Sequence, residues 1–198
     1  MDALVTQLSQ ARIVEAALAV IDERGLENLT MRALAERLDV TATALYYHFE
    51  NRDALLEAIV EDETSRLVTT RDTSGPWEQQ LRQLLTAMAR ELTAHPDLGV
   101  WIITTQARQH PVLDVHEAVL AILLDAGFEP AAAVEVKGVV FRYLIGHLIL
   151  AAAPEGPHWR RLPKRYEHLR ATGPAHDEVD RDALYEHGLD AIIAGLRP

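Results

Sequence analysis

The sequence predicts an all-α protein of two domains, and three observations carry that reading. Proline and glycine cut the 198 residues into blocks within which apolar residues recur at three- and four-residue intervals. No block shows the alternation of β-branched and polar residues that a half-buried strand requires. Apolar residues make up 48% of the chain, enough for a packed core, and the absence of cysteine removes disulfides, thiolate metal sites and cysteine nucleophiles together.

The first block spans about Ser9 to Arg24, with Ile13, Ala16, Ala17, Val20 and Ile21 on one face, and Gly25 ends it as a C′ residue. Short helices follow over Met31–Leu38 and Ala42–His48, then a longer one from Arg52 to about Thr70, with Thr30 and Asn51 as N-caps. Ser74-Gly75-Pro76 breaks the chain before helices over Trp77–Ala94, Asp97 to about Arg108, Val112–Ala126 and Pro130–Ala153. The steps His95-Pro96, His110-Pro111 and Glu129-Pro130 push the residue before each proline out of the helical region, and Gly127 is a ready C-cap. Residues 154–174 carry Pro154, Gly156, Pro157, Pro163, Gly173 and Pro174 and read as a mobile loop holding at most a short helix. Asp182–Leu196 closes the chain. The longest apolar run, Val139–Ala153, is interrupted by Arg142 and His147 and is shorter than the roughly 20 residues a membrane helix needs. With no basic-then-apolar leader, the chain reads as cytoplasmic. The blocks group into a three-helix helix-turn-helix domain over 1–52, a connecting helix and linker over 53–74, and a helical domain over 75–198.

The most informative stretch is Thr30–Arg52, TMRALAERLDVTATALYYHFENR. Two short helices flank the tight Asp39-Val40 step, each with an apolar inner face: Met31, Leu34, Ala35 and Leu38, then Val40, Leu45 and Phe49. Thr43 and Tyr47 lie opposite that face, and no acid occurs from Val40 to Phe49. Arg32, Arg37 and Arg52 flank this surface as candidate phosphate anchors, while small residues approach base edges. Arg32 stands in the first turn of its helix, where a cation opposes the dipole, so its placement favours function over stability. An exposed arginine partnered by Glu27 or Glu36 is the ordinary alternative.

The segment from about Ile13 to Ile59, above all LTMRALAERLDVTATALYYHFENRDALLEAI, resembles the DNA-binding domain of TetR-type transcriptional repressors. Trp77, His95-Pro96-Asp97, Ala126-Gly127-Phe128, Gly146 and the closing stretch Gly188–Leu196 resemble the ligand-binding and dimerisation domain of the tetracycline repressor subgroup. The resemblance implies a homodimer on double-stranded operator DNA, with Arg32, Thr41, Ala42 and Thr43 near base edges and Tyr46, Tyr47, His48 and Arg52 on the phosphate backbone. Asp39 replaces the glycine common at the turn, and aspartate tolerates the left-handed region better than most residues. Ala42 and Ala44 leave few hydrogen-bonding groups, which moves specificity toward thymine methyls and DNA shape. Residues 1–9 hold no Lys or Arg, so no minor-groove arm is expected.

Charge argues against broad nucleic-acid affinity. The formal net is −11, and residues 1–70 hold 6 basic against 13 acidic groups. Binding then rests on a narrow patch present in two copies. The same imbalance keeps a second reading open, a helical ligand-binding or scaffold dimer that has lost sequence-specific DNA recognition.

In the tetracycline repressor subgroup the drug carries a magnesium ion held by histidine and acidic side chains. The corresponding positions here read Val68, Leu84, Met88, Ile102, Val119 and Leu150, with Thr105 retained. A hard cation needs oxygen ligands, so no metal or cofactor is expected, and a small apolar or amphipathic organic effector fits better. His116 and His147 are the polar groups expected to face it, with Trp101 and Met88 as candidate walls; a core or helix-surface histidine and plain core packing are the ordinary alternatives. There is no nucleophile elbow, phosphate-cradling loop, His-Glu-x-x-His or dinucleotide fingerprint, so no enzymatic activity is expected. The resemblance further implies dimerisation through helices near 133–153 and 182–196. Ligand and DNA would be coupled through the helix from Arg52, whose Leu55, Leu56 and Ile59 face the reading helices.

Overall fold

The computed structural model describes residues 8–69, 72–104, 113–152 and 161–198. Among these it holds ten α-helices: α1 Gln10–Arg24, α2 Met31–Leu38, α3 Ala42–Tyr46, α4 Arg52–Thr69, α5 Trp77–Ala94, α6 Pro96–Thr104, α7 Leu113–Asp125, α8 Pro130–Ala152, α9 Glu167–Asp177 and α10 Arg181–Gly195. No strand occurs among the described residues. The ends follow local chemistry. Thr30 Oγ1 accepts the Ala33 amide at 3.0 Å, Asn51 Oδ1 accepts that of Ala54 at 2.9 Å, and Gly25 (φ 82°) donates its own amide to the Ile21 carbonyl at 2.8 Å.

One element departs from the sequence reading. The supposed loop 154–174 contains part of α9, eleven residues with Pro174 inside it. Proline usually ends a helix because its ring clashes with the Cβ and amide of the residue before it. That residue here is Gly173, whose missing Cβ relieves this one clash, and the helix runs on to Asp177. Residues 153–160, the first part of the supposed loop, and the expected far end of α6 (105–108) lie outside the described residues.

Two compact units divide the chain. The first comprises Met1–Thr70 with Asp97–Ala118, and the second Arg71–Pro96 with Val119–Pro198. In the first unit, Ile13, Ala17 and Val20 of α1, Leu34 of α2, Leu45 of α3 and Leu55, Leu56 and Ile59 of α4 form one core, joined by Leu98 of α6. The start of α6 is tied in by the Leu26 amide, which donates to Asp97 Oδ2 at 3.3 Å.

The second unit buries Leu81, Leu84, Leu85 and Met88 of α5 against Val136, Val140, Leu144 and Leu148 of α8 and Tyr185, Leu189 and Ile193 of α10. Each set repeats at three or four residues, as one buried helical face demands. On α10 this inward stripe lies one position beyond Leu184, Gly188, Ile192 and Gly195, the stripe whose spacing offers a face for pairing with a second copy and which is not buried here. Tyr185 takes the inward place because its hydroxyl donates to the Leu85 carbonyl at 3.3 Å and its ring stacks on Tyr143 at 5.2 Å. Leu184 remains exposed, as do Val134, Val139, Ile149 and Leu150 on α8.

Candidate nucleic-acid interface

The turn between α2 and α3 rests on Asp39, the one non-glycine residue with positive φ among the described residues (φ 56°, ψ 45°). Its amide bonds to the Glu36 carbonyl at 3.3 Å and that of Val40 to the Ala35 carbonyl at 3.0 Å, closing α2 and turning the chain. Thr41 then caps α3, its Oγ1 accepting from the Ala44 amide at 3.3 Å. Beyond α3 the amides of His48 and Phe49 both bond to the Leu45 carbonyl. Gln10 of α1 donates its side-chain amide to the His48 carbonyl at 3.2 Å, so the end of α3 is anchored to α1.

Leu45 is completely buried and Phe49 nearly so, which fixes the opposite side of α3 toward solvent. Thr41, Thr43, Tyr46 and Tyr47 are exposed there, Tyr47 at 86%, while Ala42, Ala44 and His48 are half-buried. The result is a neutral surface of hydroxyls, methyls and two aromatic rings, with no carboxylate between Val40 and Phe49.

The three flanking arginines differ sharply. Arg37 is held by both arms on Glu23 of α1, at 2.7 and 2.8 Å. That pairing lowers the Glu23 pKa and raises that of Arg37 through the same hydrogen bond. Arg52 donates from Nε to the Leu29 carbonyl and from Nη2 to the Leu26 carbonyl, each at 2.7 Å, and is half-buried. It staples the α1–α2 connection to the start of α4. Arg32 makes one exposed contact, Nε to Glu36 Oε1 at 3.3 Å, with its side chain 89% exposed. The positioning roles of Gln10 and Glu23 escaped sequence reasoning. Their partners lie 38 and 14 residues away, and no periodicity marks them.

The expected effector residues are dispersed over both units. In the second, Leu84, Met88 and Val119 are buried and apolar, whereas Leu150 is 71% exposed. Helix phase explains Leu150, since the buried face of α8 runs through Leu144 and Leu148. His147 packs its ring 4.5 Å from that of Tyr185, and burial lowers its pKa against the opposing pull of Asp182. In the first unit, Trp101 and Ile102 pack against the core and His116 is half-buried, while Thr105 lies outside the described residues. An open cavity of about 330 Å³ in the second unit is lined by Thr73, Gly75, Trp77, Gln80, Ile122, Asp125 and Ala126, none of them among these candidates. The described residues contain no group of three His, Asp or Glu side chains placed to hold a metal ion.

Known proteins resemble the chain along nearly its whole length. Residues 13–59 match the bacterial regulatory proteins of the tetR family, and residues 70–198 match the tetracyclin repressor-like C-terminal domain. The chain is 31% identical to the tetracycline repressor protein class A from transposon 1721 of Escherichia coli, over 97% of its own length and 92% of the relative's. Among solved structures it is similar to a possible TetR family transcriptional regulator from Streptomyces coelicolor A3(2), with TM-score 0.80, 31% identity, and 96% of this chain and 98% of that one covered. It is also similar to the TetR family protein ActR from Streptomyces coelicolor in complex with (S)-DNPA, with TM-score 0.77, 26% identity, and 95% and 96% covered.

Proposed function

This chain belongs to the tetR family of bacterial regulatory proteins and is a DNA-binding transcriptional regulator, and from that premise we propose that it is a repressor released from its operator by a small apolar or amphipathic organic molecule. The observation that carries the DNA half is the exposed, carboxylate-free face of α3 above the buried Leu45 and Phe49. The effector half is supported by the apolar character of Leu84, Met88 and Val119, and by a relative of the same family that is seen with a small organic ligand. Its relatives are regulators, and we assign it no catalytic role.

The working form is a homodimer, paired through the faces of α8 and α10 near residues 133–153 and 182–196. The exposed Val134, Val139, Ile149 and Leu150 on α8 and Leu184 on α10 support this, because that much exposed apolar surface on these two helices calls for a partner. The reading domain is residues 1–52, residues 53–74 connect it, and residues 75–198 bind effector and partner. No helix among the described residues is long and apolar enough to cross a membrane, in keeping with action in the cytoplasm. Linkage requires the effector to bind the DNA-incompetent form more tightly than the operator-bound form.

The test is an electrophoretic shift of DNA flanking the gene. Tyr47→Glu places a carboxylate against phosphate without touching the core, so binding collapses while dimer and melting temperature survive. A Tyr47→Glu protein that shifts operator like the wild type removes α3 from the groove. Release by an organic effector persists in EDTA and leaves the sedimentation coefficient dimeric; a requirement for magnesium, or release by dissociation to monomers, overturns the effector half.

A further inference from the structure

What α3 can say to a base pair is limited by its atoms. In the major groove guanine offers two acceptors, read by the paired donors of Arg or Lys. Adenine offers a donor beside an acceptor, read by Asn or Gln, and cytosine a donor, read by Asp or Glu. None of those six residue types occurs between Val40 and Phe49. Thymine alone presents an apolar group, its 5-methyl, and the side chains that meet it well are Ala and the γ-methyl of Thr.

The structure narrows this further. Thr41 is engaged as the N-cap of α3, and Ala42 packs partly against the core of the first unit. Tyr46 and Tyr47 carry their hydroxyls at the end of long rigid rings, suited to phosphates rather than to a close approach at the groove floor. On α2, Arg37 is committed to Glu23, and the exposed Arg32, tied only to Glu36, is a reader from outside α3. Within α3 itself Thr43 remains: exposed, one residue past the start of α3, and carrying both a methyl and a hydroxyl on a short stem.

We infer that Thr43 is the specificity-determining residue of the reading helix, and that it selects thymine through contact of its γ-methyl with the 5-methyl group, with Ala44 beside it. This rests on the reading of the chain as an operator-binding regulator and names what that operator must contain, a thymine beneath α3 in each half-site. Burying one methyl pair is worth about 4-fold in affinity, so losing it in both half-sites costs about 15-fold.

The experiment first selects binding sites from random duplexes with the full-length protein at low salt, then replaces each thymine of the enriched site by uracil, which removes only the methyl. One position per half-site is expected to lose affinity on replacement, and the remaining thymines are expected to be indifferent. Thr43→Val keeps the methyl and is expected to keep the preference for thymine over uracil; Thr43→Ser keeps the hydroxyl and is expected to lose it. An enriched site indifferent to uracil everywhere overturns this inference alone, as does a preference that survives in Thr43→Ser and vanishes in Thr43→Val. Absence of any enriched site overturns the regulator reading and this inference with it.

Discussion

Salt is the perturbation that most directly interrogates this reading head. Each phosphate neutralised by a cation releases a counter-ion, and log K falls with log salt at a slope of about −0.9 per phosphate. Of the arginines beside α3, Arg37 already holds Glu23 with both arms and Arg52 holds two backbone carbonyls. Arg32 alone extends into solvent, tied by a single contact to Glu36. One such cation per head gives two per dimer and a slope of about −1.8, so moving from 50 to 200 mM salt weakens binding by only about 12-fold. If all three arginines bound phosphate, six charges would give a slope of about −5.4 and a loss of about 1,800-fold over the same interval. Fluorescence anisotropy of a labelled operator at several salt concentrations distinguishes these outcomes, and Arg32→Ala should flatten the dependence further. A slope steeper than about −4 would refute the assignment of Arg37 and Arg52 to the fold, because those cations would have to leave their protein partners for DNA.

Three further outcomes are expected. Arg52→Ala strands the Leu29 carbonyl, while that of Leu26 keeps the Leu29 amide, and should lower stability by about 1–3 kcal/mol in urea denaturation, with Arg52→Lys no full rescue because one ammonium cannot span both acceptors; unchanged stability with weakened operator binding would move Arg52 to the DNA. A Cβ on Gly188 would overlap Tyr143 Oη, so Gly188→Ala should displace that ring, break its 3.1 Å bond to the Tyr185 carbonyl and cost about 1–3 kcal/mol despite the better helix former, as read from the thermal midpoint. His147 has a pKa lowered mainly by burial, so below its ordinary value of 6.5 the unfolded chain takes up a proton that the folded one resists. The melting temperature should therefore drop between pH 7.5 and 5.5, and drop less in His147→Asn.

How far the sequence could be read depends on the range of the interaction concerned. Caps, helix starts and the buried faces of α1, α2 and α4 were legible because each is decided within one or two turns. Thr30 reaches Ala33, Asn51 reaches Ala54, and Ile13, Ala17 and Val20 repeat on one face. The neutral outer face of α3 was legible for the same reason, once Leu45 and Phe49 were placed inside.

Tertiary structure alone decided how the charges are used. Arg32, Arg37 and Arg52 look alike as flanking cations, but Glu23 and the carbonyls of Leu26 and Leu29 reach two of them across helix contacts whose partners no local spacing marks. It also decided the register of α10, where a hydrogen bond from Tyr185 to Leu85, 100 residues earlier, turns Tyr185, Leu189 and Ile193 inward and leaves Leu184 in solvent. A sequence states its short-range preferences residue by residue; the partner of a side chain that reaches across helices exists only once packing has brought the two together.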